Sequence, residues 1–181
     1  LTGVAISIGP GSFTGLRIGL ATAKMLSYAL SIPVVAVSSL EAMAYHYPVP
    51  GVYVASVLDA QKSNAYFALY EWNGKDFDEK KQTCVMDFEE VVKYCATLDK
   101  PVVFVGDIAQ KKADIIAQYE NVSLGLPHLC MPRASNVAMA AKARFENEDY
   151  DNIMDLEPVY IRRSEAEVLW EKRHGEKLTD L

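Results

Sequence analysis

Valine and isoleucine alternate with small residues from Val4 to Ile8, and the run stops in Gly9-Pro10-Gly11. A short apolar run closed by Gly and Pro is a buried strand entering a tight turn. A helix follows, with Ser12 or Thr14 as its N-cap, and extends to about Leu30. Pro33 prevents its continuation, and Val34 to Val37 form the next strand. Ser38-Ser39-Leu40-Glu41 is a capping box that opens a short helix ending near Tyr45. The opening section therefore reads βαβα.

Pro48-Val49-Pro50-Gly51 is a break, and three strand-like runs come after it: Val52 to Leu58, Ala65 to Glu71 and Gln82 to Met86. The last two are joined across Asn73-Gly74, a dipeptide that favours a hairpin. Asp87 and Glu90 form a second capping box for a helix to about Leu98. A strand at Val102 to Val105, a helix from about Ile108 to Tyr119, a strand at Val122 to Leu124 and a helix from Ser135 to about Phe145 complete the series. The second section reads βββαβαβα, and its last four elements repeat the first section, as though the chain began within the first copy of a repeated unit. By the size of the second copy, the segment expected to precede Leu1 is on the order of 50 residues.

A duplicated unit of this kind is similar to the actin, sugar kinase and Hsp70 group, in which two ribonuclease-H-like lobes face each other. The expected fold is α/β, with mixed sheets and helices on their faces. Residues 1–47 are then the C-terminal part of an incomplete first lobe, and residues 48–181 a second lobe with a charged tail.

Composition narrows the functional classes. Eighteen Lys and Arg against 24 Asp and Glu give a net charge of −6, so no global basic field draws the chain to nucleic acid or to an anionic membrane. No apolar run approaches the roughly 18 residues of a membrane span, and no basic region precedes an apolar stretch at the start. Cys84, Cys95 and Cys130 are odd in number and widely spaced, which implies neither a disulfide framework nor a zinc site. A reducing cytoplasm is the expected compartment. His46, His128 and His174 stand singly, without a metal-binding pair. The serines at 12, 38, 63, 135 and 164 lie in no nucleophile elbow and read as caps. No catalytic or metal-ligating residue is expected.

The densest signal is the turn and helix from Gly9 to Gly19. Gly9, Gly11, Ser12 and Thr14 form a strand-to-helix turn whose free N–H groups could face a phosphate, although no Walker Gly-Lys-Ser/Thr follows. A tight turn with a capped helix explains the same residues. Within the helix, Gly15, Gly19 and Ala23 recur every four residues and make a narrow stripe that another backbone could approach. Leu16, Leu20, Ser27 and Leu30 flank the stripe; Ile18, Ala21, Met25 and Ala29 form a second apolar face; Arg17, Lys24 and Tyr28 mark a polar edge. A helix apolar on two sides needs its own sheet on one and something further on the other: a missing helix or a partner protein.

Asp59 ends a strand, where an aspartate either shapes a turn or faces a cleft to hold a metal or a nucleotide hydroxyl. Glu157 to Glu167 reads as a strand passing into a charged helix, with Ser164 and Glu167 as a capping box.

The stretch from Ser7 to Lys24, with Ile32-Pro33-Val34 and Val37 to Ala42, closely resembles the bacterial TsaB (YeaZ) family. The Asp59-Ala60 strand end and the Pro158, Tyr160, Arg162 and Glu165 to Glu167 tail resemble it too. The resemblance implies a non-catalytic, glycoprotease-like subunit of the machinery that makes threonylcarbamoyladenosine beside the anticodon of tRNAs reading codons that begin with A. In that family TsaB binds its paralogue TsaD, which carries the metal and transfers the threonylcarbamoyl group, and the ATPase TsaE joins them. ATP and metal are thus expected on partner subunits, tRNA only through the complex, and a homodimer where TsaD is absent. The interface the resemblance implies comprises Gly15, Leu16, Ile18, Gly19, Leu20, Thr22 and Ala23. After Asp59-Ala60 the family's Gly-Glu-Val-Tyr is replaced here by Ser63-Asn64-Ala65-Tyr66, so a carboxylate is lost. Two rivals stand beside this reading: an ATP-dependent phosphotransferase or hydrolase of the same fold, and a self-associating binding module.

Overall fold

The computed structural model describes residues 1–161. Strand β1 (Val4–Gly9) runs into α1 (Phe13–Leu30), which crosses to β2 (Val34–Ser38), parallel to β1 and paired Val4 to Val34 and Ser7 to Val37. Ser12 caps α1 by accepting the Gly15 N–H at 3.3 Å. Ser38 caps α2 (Ser39–Ala44) by accepting the Leu40 N–H at 3.2 Å.

A five-stranded mixed sheet follows. β3 (Tyr53–Asp59), β4 (Asn64–Trp72) and β5 (Phe77–Asp87) form an antiparallel meander. β6 (Val102–Val105) and β7 (Val122–Leu124) add in parallel on the other side of β3, giving the order β5-β4-β3-β6-β7. The helix α3 (Phe88–Ala96) starts at Asp87, whose carboxylate accepts the Glu89 N–H at 2.9 Å. α4 (Asp107–Lys111) and α5 (Ala113–Ile116) connect β6 to β7, and α6 (Ala134–Glu146) follows. Among the described residues no helix is long and apolar enough to cross a membrane.

Three expectations are corrected. β5 begins at Phe77 rather than Gln82: Asp78 to Lys81 are charged because they lie on an edge strand with open faces, while Phe77 pairs with Trp72 and packs on Tyr70. The single helix expected over 108–119 is two short ones, because Lys112 leaves the helical region at φ −121° and ψ 36°. Lys111 thereby reaches Asp59 while the Lys112 ammonium lies over the Phe88 ring. The strand expected from Glu157 is an extended segment held to β1 by the Val159 N–H donating to the Ile8 carbonyl at 2.8 Å. The helix expected from Ser164 lies outside the described residues.

The two sheets exchange helices. α2 buries Leu40, Met43 and Ala44 against Val54, Leu58 and Val103 of the five-stranded sheet. Conversely, α6 buries Val137, Ala140 and Ala141 against Val35 and Val37 of the two-stranded sheet and Ala42 of α2. α6, which follows residue 48, thus packs on the sheet that precedes it, and the following segment also returns to β2, where the Asp151 N–H donates to the Val34 carbonyl. The other face of the large sheet is a separate core around the fully buried Phe67, Phe88 and Phe104. Burial of each such ring contributes about 2–3 kcal/mol. Gly106, at φ +134°, lets the turn after β6 cross β3 closely: a β-carbon there would lie 1.7 Å from the Val57 carbonyl oxygen.

Candidate functional site

The carboxyl ends of β1, β3 and β6 converge on a cleft of about 960 Å³. Strand ends of this kind are where open α/β sheets bind ligands. One wall is the turn from Pro10 to Phe13, another is Asp59 to Gln61 with Asp107, and a third is the segment Val159 to Ile161. Gly9 is required where the turn meets that third wall: its φ is +114°, and a β-carbon would come within 3.1 Å of both Leu16 Cδ1 and the Val159 carbonyl oxygen.

Of the residues expected to face a phosphate, Gly11 and Ser12 bound the cleft, Gly9 lies buried beneath the third wall, and Thr14 is exposed outside it. The Ser12 hydroxyl is engaged as the helix cap. Ser39, 5% exposed, also bounds the cleft, with its hydroxyl 2.7 Å from that of Ser7.

Asp59 fills both roles that its position allows. One oxygen accepts the Gln61 N–H at 2.7 Å and shapes the turn; the other pairs with the Lys111 ammonium at 2.9 Å. Lys111 also reaches Asp107 at 3.2 Å, and Asp107 accepts the Asp59 N–H at 3.0 Å. The hydrogen bond from Lys111, then that from Gln61, holds the Asp59 carboxyl below its ordinary value, and the same bond raises the Lys111 ammonium. An ammonium thus lies between two carboxylates at the cleft wall. Among the described residues no group of three or more His, Cys, Asp and Glu side chains is placed to hold a metal. His46 contacts the Met131 carbonyl, and His174 lies outside the described residues.

The other feature is α1. Leu20 and Ala23 are buried, and the space beside Gly19 is filled by Ile6 of β1, with a β-carbon at 19 lying 3.4 Å from Ile6 Cδ1. Two of the three stripe residues, Gly19 and Ala23, therefore face the protein's own sheet, while Gly15 lies open. Of the residues of the expected interface, Leu20 and Ala23 are buried, with Leu20 packed against Val34 and Leu156. Gly15, Ile18 and Thr22 are exposed, Leu16 and Gly19 half-buried. The open face is the second apolar one, with Ile18 and Met25 each 64% exposed, and Tyr28 of the neighbouring edge is 68% exposed.

Arg17, on the polar edge of α1, joins two distant parts of the chain. Its guanidinium lies 4.0 Å from the Phe13 ring centroid, and its Nε donates to the Tyr160 hydroxyl at 2.9 Å. Neither the Arg17–Tyr160 pairing nor the link of Asp59 to Asp107 and Lys111 has a signature in sequence, since each joins residues that lie 48 or more positions apart in the chain.

Comparison with known proteins agrees with this fold. The family model described as TsaD, tRNA N6-adenosine threonylcarbamoyltransferase, matches residues 1–170. The tRNA threonylcarbamoyladenosine biosynthesis protein TsaB of Bacillus subtilis strain 168 is 32% identical, over 94% of this chain and 73% of its own length. Its namesake in Escherichia coli K12 is 27% identical, over 98% of this chain and 76% of its own length. A solved Pseudomonas aeruginosa structure, described as an uncharacterized protein with similarity to the peptidase YeaZ, superposes with a TM-score of 0.74 at 25% identity, over 90% of this chain and 74% of that one. On the extent of the family match and the identity to the Bacillus protein, the chain belongs to the TsaB (YeaZ) family, whose members take part in tRNA threonylcarbamoyladenosine biosynthesis.

Proposed function

We propose that this protein is a non-catalytic subunit of the tRNA threonylcarbamoylation machinery and that it binds a TsaD-like paralogue through the outer face of α1. The observation that carries the reading is that face: Ile18, Met25 and Tyr28 stand exposed along one 18-residue helix whose opposite side is already packed on β1 and β2. Apolar side chains gathered on one helix face mark a protein contact. The same surface serves self-association when the paralogue is absent. In this reading a TsaE-like ATPase joins the pair, ATP and metal belong to those partners, tRNA is met only through the complex, and the assembly works in the cytoplasm. The two sheets with exchanged helices belong to two actin-like lobes.

Support for a non-catalytic role comes from Lys111, which occupies the space between Asp59 and Asp107 and neutralises the carboxylates best placed for cation chemistry at the cleft. A second reading, an ATP-dependent phosphotransferase or hydrolase, is favoured by the cleft itself and by the Gly11 and Ser12 backbone at its edge.

The test is light scattering and a tRNA threonylcarbamoylation assay with the TsaD paralogue, using the native chain and Ile18→Asp. The expected result is a heterodimer that the native chain forms, that Ile18→Asp loses, and on which modification depends. ATP hydrolysis by the isolated chain, with no association, would establish the enzyme reading instead.

A further inference from the structure

The segment from Leu156 to Ile161 is neither strand nor helix, yet it forms a wall of the cleft and is fastened at three points. At its start, the Lys24 ammonium donates to the Leu156 carbonyl at 3.1 Å. In the middle, the Val159 N–H donates to the Ile8 carbonyl at 2.8 Å. At its end, Tyr160 stacks on Phe13 with ring centroids 5.1 Å apart and accepts a hydrogen bond from Arg17, whose guanidinium lies over Phe13. Two of the three fastenings come from α1, and the third from the strand that precedes it.

We propose that residues 157–161 are a strap that opens and closes the cleft, and that the Phe13–Arg17–Tyr160 group is its latch. The fastenings differ in kind from those of the sheets. Tyr160 and Phe13 remain 45% and 46% exposed, so the latch is made at the surface. Leu156 is buried beside Leu20 and Val34 and stays in place as the hinge. Beyond it, a segment with one backbone hydrogen bond to a strand and side-chain contacts at the surface opens at much lower free energy than a strand paired on both sides. β3, which faces the same cleft through Asp59, is paired on both sides by β4 and β6. Opening therefore leaves the sheets intact and removes only Val159, Tyr160 and Ile161 from the cleft wall. Arg17 is well suited to the latch, because its planar guanidinium stacks on a ring while its Nε hydrogen-bonds in the same plane, which a lysine cannot reproduce.

The experiment is amide hydrogen exchange on the whole chain, followed at Val159 and at the β3 amides, in the native protein, Arg17→Ala and Arg17→Lys. Val159 is expected to exchange faster than the β3 core in the native protein. Loss of the hydrogen bond to Tyr160 and of the cation–π contacts in Arg17→Ala should accelerate it about tenfold further while β3 is unmoved. Arg17→Lys should fall between the two.

A second measurement reports the cleft itself. In Ser39→Cys the thiol stands at a wall position only 5% exposed. Its alkylation should accelerate by a similar factor when Arg17→Ala is added. Exchange at Val159 as slow as at β3 in the native protein, or exchange and Ser39→Cys labelling unchanged by Arg17→Ala, would overturn the strap.

Discussion

Gly19 lies against Ile6, and a β-carbon added at position 19 would end 3.4 Å from the Ile6 Cδ1 atom. The contact fixes the spacing of α1 over β1 and decides which side of the helix is left for a partner. Gly19→Leu forces a bulky side chain between the two elements and should destabilise the fold by about 1–3 kcal/mol, read as a lower urea midpoint. A variant that kept full stability and lost only partner binding would return the stripe to the interface.

Much of this architecture was legible in the sequence, because the β6 and β7 strands and the three side-chain caps at Ser12, Ser38 and Asp87 depend on local chemistry. The orientation of α1 was not. Both sides of that helix are apolar, so periodicity alone could not say whether Gly19 and Ala23 or Ile18 and Met25 face the sheet. The same limit hid the exchange of α2 and α6 between sheets: an apolar helix face records that it is buried, not against which strand. The cleft was legible only as separate strand ends, since Arg17 and Tyr160 are 143 positions apart.

The Asp151 carboxylate closes the outer edge of β2. It accepts the Ala36 N–H at 2.7 Å and pairs with Arg144 at 3.0 Å, while Arg144 also donates to the Ala36 carbonyl. An edge strand is thereby denied to other chains. Asp151→Ala should cost about 1–3 kcal/mol by leaving the strand N–H without its acceptor and removing one of the two carboxylates on Arg144, which keeps Asp149. Asp151→Asn, which keeps one acceptor oxygen, should cost less. Equal stability of all three proteins in urea would show that the edge needs no such cap.

Glu41 is mostly buried at the start of α2, and burial first, then the neighbouring Glu79, raises its carboxyl above the ordinary value. Asp76 acts in the same direction, while the Ser38 N–H and Arg144 oppose it. A carboxyl raised on folding binds more protons in the folded state, so its contribution to stability falls as pH rises from its unfolded value through its folded one. Glu41→Gln keeps an acceptor for Ser38 and carries no charge. It should be more stable than the native chain at neutral pH, with the difference vanishing once the solution is acidic enough to protonate Glu41. Difference curves of urea midpoint against pH test this, and a gap that widens on acidification would refute it.

Ser56 lies in the middle of β3, fully buried, with its hydroxyl oxygen lacking any hydrogen-bond partner. It alternates with Ala55 and Val57, which face the phenylalanine core, so Ser56 points to the α2 side among Val54 and Leu58. A hydroxyl left dry costs about 1–3 kcal/mol, and removing it deletes a single atom from the packing. The transfer gain outweighs so small a void. Ser56→Ala should therefore be about 1 kcal/mol more stable, seen as a raised urea midpoint with an unchanged slope. A loss of stability would mean that an ordered water satisfies the hydroxyl, and that a polar pocket lies between α2 and β3 where the packing is otherwise apolar.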